Sequence, residues 1–209
     1  MAAIFFDVDG TLVRWRGGYG GIVADAFERA GATPTDEHLD HYDDRFFHHF
    51  GEFADDPYRE AFADLCERYA VDADPVELAE ALVDAEFAAV EPVPGVEPVV
   101  ESLAEDHTLG VLTNGVPGVQ LGKVEAVGLL DCFDVRVASH DPDVRATKPD
   151  RDIYEAAKAR VDAETYVMVG DDREPDIDGA REYGFETVHV DTSTDDLRAP
   201  DFRTLATLL

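Results

Sequence analysis

Apolar positions along this chain fall into two patterns that alternate. Five runs are short and nearly unbroken: AAIFFDV at 2–8, HTLGVLT at 107–113, FDVRVA at 133–138, TYVMVG at 165–170 and FETVHV at 185–190. Runs of this length read as strands, and near-continuous apolar character suits strands covered on both faces. From the second run onward, amphipathic stretches such as GVQLGKVEAVGL, DIYEAAKARV and DIDGAREYG separate them. That strand–helix alternation predicts a mostly parallel sheet with helices on both sides.

The interval between the first and second runs breaks the rhythm. Residues from about 15 to 92 hold no convincing strand, and apolar positions there recur at helical spacing, as in GIVADAFERAG, PYREAFADLCERYA and PVELAEALVDAEFAAV. Asp74-Pro75 is a helix start and Gly31 a helix stop. The segment is entered through RWRGGYG and left through EPVPGVEP, both carrying the glycine or proline expected of boundaries. The predicted fold is therefore α/β: a doubly wound, Rossmann-like parallel-sheet core with its first strand central and an all-α cap inserted. Residues 1–14 plus 93–209 form the core and 15–92 the cap.

Composition narrows the setting. At 209 residues with 45% apolar content, a packed core is expected and wholesale disorder is not. No apolar run approaches the ~20 residues needed to span a bilayer. The N-terminus enters a strand at once, with no room for a leader, so a soluble cytoplasmic protein without a membrane partner is expected. Cys66 and Cys132 have no paired metal-type spacing and read as reduced thiols. The net charge of −30 is extreme and dispersed along the chain. Such self-repulsion is tolerable where salt screens it, over about 3 Å at 1 M, and so reads as adaptation to a salt-loaded cytoplasm. Nucleic acid is a poor candidate partner and none is expected, because its phosphates call for a basic surface.

Four polar clusters sit at the ends of predicted strands, where open parallel sheets place their ligands. Asp7, Asp9, Gly10 and Thr11 follow the first strand, and Thr113, Asn114 and Gly115 the second. Lys148-Pro149-Asp150 comes after the third, and Gly170, Asp171, Asp172 and Asp176 follow the fourth. If these converge, several carboxylates repel one another unless a cation joins them. Oxygen-only ligation suits Mg²⁺, which commonly takes one or two carboxylates plus a substrate phosphate. Thr113, Asn114, Lys148 and the N–H groups of the Gly10 turn supply donors for an oxyanion. One carboxylate can then act as nucleophile while the other handles protons.

In order, DVDGT, LTNG, KPD and GDDREPD resemble the signatures of the haloacid dehalogenase superfamily, and the resemblance spans nearly the whole chain. The helical insert resembles that superfamily's cap in its commonest position. The resemblance implies that Asp7 is the nucleophile that becomes aspartyl-phosphate and that Asp9 protonates the leaving group and then activates water. It implies Mg²⁺ held by the Asp7 carboxylate, the Asp9 main-chain carbonyl and the Asp171 carboxylate, with Asp176 acting through water or by orienting other groups. Thr113 and Asn114 would hold the phosphoryl group, and Lys148 would neutralise its charge and that of the nucleophile. Many relatives carry Ser or Thr where this chain has Asp172, which bears on water or metal contacts.

Asp9 separates reaction types. Relatives that cleave carbon–halogen bonds lack an acid there, because displaced halide needs no proton and an expelled alkoxide does. The expected activity is Mg²⁺-dependent hydrolysis of a small phosphorylated metabolite of the nucleotide, sugar phosphate or phosphoglycolate class, with cap closure selecting the leaving group. The alternatives are a 2-haloacid dehalogenase or phosphomutase on the same scaffold, and a non-enzymatic phospho-acceptor domain like response-regulator receivers. Receivers, however, carry their acceptor after the third strand and have no helical insert.

Other signals reduce to structure. Glu174, Asp176, Asp178 and Gly179 mimic a calcium loop, but its twelfth position falls on Phe185 where a bidentate Glu is needed. His38, His41, His48 and His49 read as a solvated helix face with partly buried histidines. Phe46, Phe47, Phe50, Phe53 and Phe62 read as cap core. Arg14, Trp15, Arg16 and Tyr19, where cap joins core, suit either substrate contact or hinge packing.

Overall fold

The structure, a computed structural model, describes residues 1–190; the part of the expected core beyond that point lies outside the described residues. β1 (Ala2–Phe6) is buried along its whole length, as a strand with neighbours on both edges and helices on both faces must be. It pairs in parallel with β4 (Thr108–Thr113) on one side and β6 (Thr165–Gly170) on the other. β5 (Val135–Ala138) and β7 (Glu186–His189) complete a five-stranded parallel sheet in the order β5-β4-β1-β6-β7, so the first strand is central as expected.

The chain divides into two compact units: Met1–Arg14 with the chain from Glu91 onward, and Trp15–Val90. Two three-residue strands that the apolar pattern did not indicate, β2 (Val13–Trp15) and β3 (Val90–Pro92), pair where the chain passes from one unit to the other. Three residues are too few to register as alternation.

The second unit is four helices: α1 (Tyr19–Arg29), α2 (Asp36–Gly51), α3 (Pro57–Tyr69) and α4 (Pro75–Ala89). Each of the last three starts on a side chain that accepts a backbone N–H: Thr35 from His38, Asp56 from Arg59 and Asp74 from Val76, with proline in the first turn of α3 and α4. α1 ends before Gly31, whose φ of 75° lets the chain leave the helix. The unit packs around Phe27, Tyr42 and Phe62, with Tyr42 and Phe62 rings 4.3 Å apart and Phe27 edge-on to Phe62 at 5.6 Å. Of the phenylalanines expected in this core, Phe62 is fully buried, whereas Phe47 is 69% exposed. Phe46 and Phe50 share one helix face, and Phe47 turns away from it.

In the first unit, α5 (Val96–Ala104), α6 (Pro117–Ala126) and α7 (Arg151–Ala159) are the longer helices between strands. A π-helical segment, Arg173–Gly179, follows β6 and runs into the short helix α8 (Ala180–Glu182). Among the described residues no helix is long and apolar enough to cross a membrane.

The sheet centre is tightly filled. Gly110 of β4 sits opposite Phe5 of β1, and a Cβ at that position would lie 2.5 Å from the Phe5 ring, itself fully buried and edge-on to Phe185. Gly110→Ala is therefore expected to destabilise the protein by about 1–3 kcal/mol through overpacking. Urea denaturation should show a lowered midpoint with an unchanged slope, and a midpoint equal to wild type would contradict this packing.

Candidate functional site

The strand order decides which loops meet. Because β1 lies between β4 and β6, the residues just after its C-terminal end face those ending β4 and those following β6. Asp7 and Asp9, Thr113 and Asn114, and Asp171, Asp172 and Asp176 thereby line one crevice of about 190 Å³, joined by Lys148 and Pro175. Asp7, Asp9, Thr113, Asn114, Lys148, Asp171 and Asp176, the side chains given roles in the sequence, all border this crevice.

Glycine permits the crowding. Gly10 has φ of +86°, a conformation that side-chain-bearing residues rarely adopt, and a Cβ there would collide with the Asp171 carboxylate. At Gly170 the backbone conformation is ordinary, but a Cβ would strike the Asp176 carboxylate.

Lys148 ties the carboxylates together. Its ammonium donates to Asp7 Oδ1 at 2.8 Å and to Asp176 Oδ1 at 2.6 Å, with all three side chains largely buried. Burial alone would lower the Lys148 pKa, but the Coulomb attraction of Asp7 and Asp176, with both hydrogen bonds, outweighs it and carries the pKa above the usual lysine value. Lys148 is delivered by Asn114: the Lys148 N–H donates to Asn114 Oδ1 at 2.7 Å, and Asn114 Nδ2 donates to the Lys148 carbonyl at 3.0 Å. Asn114, expected to hold a phosphoryl group, thus commits its oxygen and one amide hydrogen to the lysine backbone, leaving one further hydrogen to offer.

Asp171 accepts from the Thr11 hydroxyl at 2.9 Å, and Asp176 accepts from the Asp172 N–H at 3.1 Å. The Asp172 side chain, flagged as unusual in the sequence, accepts from the Glu174 N–H at 3.2 Å and so starts the segment Arg173–Gly179. Asp9 points elsewhere: its carboxylate accepts from Gln120 and from Lys123, at 3.0 to 3.2 Å. In the sequence, Gln120 and Lys123 belong to the segment after LTNG that resembles nucleotide- and sugar-phosphate-hydrolysing relatives, but nothing local ties them to Asp9, more than a hundred positions earlier.

Among the described residues, the groups close enough to share a cation are the carboxylates of Asp7, Asp171 and Asp176, with ligand atoms within 4.8 Å of one another. Asp176, expected to act through water or by orientation, stands in this set, and the Asp9 carboxylate does not. The electrostatics fit a cation. Burial raises the Asp171 carboxyl above its usual range, the Thr11 hydrogen bond offsets this in part, and the Asp7 charge adds to the rise. Burial also raises Asp176, against the pull of Lys148. One ammonium therefore leaves this carboxylate group under-compensated, and a divalent ion with oxygen ligands would relieve it. Among the described residues the histidines of the helical unit form no metal-type group: His38 completes the capping box that Thr35 opens at α2, and His49 lies 2.8 Å from Asp64. Arg14 pairs with Glu91 at 2.8 Å within the first unit, and the Tyr19 hydroxyl donates to Glu86 at 2.9 Å within the second.

A parallel sheet with paired aspartates after its central strand, a lysine against the first of them and further acids after the neighbouring strand defines a class of hydrolytic site built for anionic groups. The chain belongs to the haloacid dehalogenase-like hydrolases, whose sequence model matches residues 1–184. It is similar to the pyrimidine 5'-nucleotidase YjjG of Escherichia coli, 32% identical over 60% of this chain and 56% of that protein. It is also similar to a ribulose-1,5-bisphosphate 5-phosphatase of Halopiger xanaduensis, 38% identical over 48% of this chain and 43% of that protein. The chain spans about half the length of these curated relatives. Among solved structures, a 2-haloacid dehalogenase from Pseudomonas syringae pv. Tomato DC3000 superposes with a TM-score of 0.75 at 25% identity, covering 100% of this chain and 97% of that one. The HAD-hydrolase YfnB of Bacillus subtilis, bound to magnesium, superposes with a TM-score of 0.70 at 20% identity, covering 100% and 98%, and so shares the fold.

The raised carboxyl groups give a signed expectation. Without metal, Asp171 and Asp176 hold protons more tightly folded than unfolded. Their contribution to stability is therefore present below the ordinary value of 3.8 and lost as pH rises through the raised values. A cation competes with those protons. Added Mg²⁺ should raise the Tm more at about pH 8 than at about pH 5, and at a hundredfold excess over Kd the gain is about 2.7 kcal/mol. Asp171→Asn should raise the metal-free Tm at the higher pH and abolish most of the Mg²⁺ response. An equal response in wild type and variant would place the cation elsewhere.

Proposed function

We propose that the protein is a Mg²⁺-dependent phosphatase that hydrolyses a small phosphate monoester through an aspartyl-phosphate on Asp7. The observation that carries this reading is Asp9, a second carboxylate in the same crevice as Asp7 and held apart from the metal-type cluster. Hydrolysis of a monoester with a poor leaving group needs a proton donor distinct from the nucleophile, and displacement of halide does not.

In the first step an Asp7 carboxylate oxygen attacks phosphorus, the ester P–O bond breaks, and the departing alkoxide takes a proton from Asp9. In the second step a water attacks phosphorus, Asp9 takes its proton, and the bond to Asp7 breaks to release inorganic phosphate. Both steps leave the enzyme as it began. Lys148 offsets negative charge at Asp7 and would do so at the phosphoryl oxygens, to which Thr113 and the remaining amide hydrogen of Asn114, both bordering the crevice, would donate. Mg²⁺, held by Asp7, Asp171 and Asp176 with the Asp9 carbonyl, would supply further charge neutralisation at the transferred group.

The relatives named as nucleotidase and sugar-bisphosphate phosphatase support a small phosphorylated metabolite as substrate. The helical unit Trp15–Val90 is assigned the role of cap that selects the leaving group. The net charge of −30 supports a salt-loaded cytoplasm as the working environment, so assays belong at molar salt.

The test is phosphate release with Mg²⁺ at high salt. The panel comprises pyrimidine nucleoside monophosphates, ribulose-1,5-bisphosphate, phosphoserine, glyceraldehyde 3-phosphate and phosphoglycolate, run beside a halide-release assay on haloacids. At least one ester should turn over, and Asp7→Asn should lower its kcat by on the order of a thousandfold or more. Halide release without phosphate release would overturn the reading, and Asp7→Asn acting at the wild-type rate would remove the nucleophile.

A further inference from the structure

We infer that Lys123 and Gln120 form a bracket that positions the Asp9 carboxylate for proton transfer, and that Asp9 Oδ1 is the oxygen that carries the proton. The inference rests on the reading of Asp9 as the acid–base group and goes beyond it by assigning what holds that group and which of its atoms acts.

Lys123 and Gln120 stand three residues apart on α6 and so project from one face of the helix. Both are buried, at 3% and 5% exposure. Gln120 Nε2 donates to Asp9 Oδ2 at 3.0 Å, while Lys123 Nζ donates to Oδ2 at 3.1 Å and to Oδ1 at 3.2 Å. Oδ2 thus accepts two hydrogen bonds and Oδ1 one, the longest of the three. A carboxylate oxygen has two lone pairs, so these contacts fill the capacity of Oδ2 and leave room on Oδ1 for a proton or a water. With three contacts from two side chains, the carboxylate plane cannot turn about its bond to the rest of Asp9 without breaking at least one.

The geometry of the loop serves the same end. α6 begins at Pro117, immediately after the Thr113–Gly115 turn that borders the crevice, so one segment supplies both the crevice wall and the bracket. Gly115 lies so close to the Gln120 side chain that a Cβ there would collide with it, and glycine is what allows Gln120 to lie across the turn toward Asp9.

Composition points the same way. Of the chain's 17 lysine and arginine residues, 14 are arginine and 3 are lysine. Two of those three lysines are buried against the two aspartates of DVDGT, Lys148 on Asp7 and Lys123 on Asp9. A buried ammonium is costly unless it is paired and hydrogen-bonded, and a general scaffold role would be met by an apolar residue. Acting through Asp9 and not on substrate, Lys123 and Gln120 are positioning residues.

The test compares two substrates whose leaving groups differ in their need for a proton: the best alkyl phosphate from the panel, and p-nitrophenyl phosphate, which expels a stabilised phenolate. For Lys123→Met, kcat/KM, which reports the steps up to departure of the alcohol, should fall by about 100-fold on the alkyl ester and by less than about tenfold on the nitrophenyl ester, while kcat also carries the shared second step. Lys123→Arg, which keeps the charge and the donors, should recover much of the loss. Gln120→Met should show the same split at smaller size. If circular dichroism shows Lys123→Met to be unfolded, Gln120→Met decides by the same ratio. Equal loss of kcat/KM on both substrates, or an undiminished kcat/KM on the alkyl ester, overturns the positioning role while leaving the phosphatase reading intact. Failure of the wild type to hydrolyse either ester overturns both.

Discussion

The site depends on one ion pair shared three ways: the Lys148 ammonium between Asp7 and Asp176. Two carboxylates this buried repel each other and are poorly solvated, and an unpaired charge in such a place is among the costliest things a fold can hold. The lysine makes the pair tolerable, and the pair in turn keeps the lysine charged despite its burial. One positive charge does not balance Asp7, Asp171 and Asp176 together, however, and that imbalance argues for a divalent cation at this point of the sheet.

Everything else in the first unit serves to bring those groups together without covalent help. The parallel sheet places β1 between β4 and β6, so three chain segments far apart in sequence end side by side. Glycines at 10 and 170 remove the Cβ atoms that would hold the carboxylates apart. Asn114 grips the Lys148 backbone through two hydrogen bonds, coupling the end of β4 to the loop that carries the lysine. The candidate site is thus assembled from backbone geometry first and side-chain chemistry second.

Much of this architecture is legible in the sequence because it follows from burial. Strands covered on both faces must be nearly continuous apolar runs, so 2–8, 107–113, 133–138, 165–170 and 185–190 stand out, and all five become strands in one parallel sheet. The polar clusters are legible because they follow such runs. Features fixed by long-range geometry are not legible in the same way. β2 and β3 are too short to carry a period, and the exposure of Phe47 depends on which face of α2 turns inward. The engagement of Asn114 with Lys148 and of Asp9 with Lys123 and Gln120 joins residues 34 to 114 positions apart. Asp172 illustrates the reverse case: a residue conspicuous in the sequence serves as the cap of a short helical segment.

The central claim is that Asp7 carries the phosphoryl group between substrate and water. The stereochemical course at phosphorus tests it most directly. Hydrolysis of a thiophosphate ester made chiral with oxygen isotopes, carried out in isotopically labelled water, reports how many in-line displacements occur. Two displacements, through Asp7 and then water, give overall retention of configuration, which is the result this account predicts. Inversion would mean a single attack by water and would contradict it.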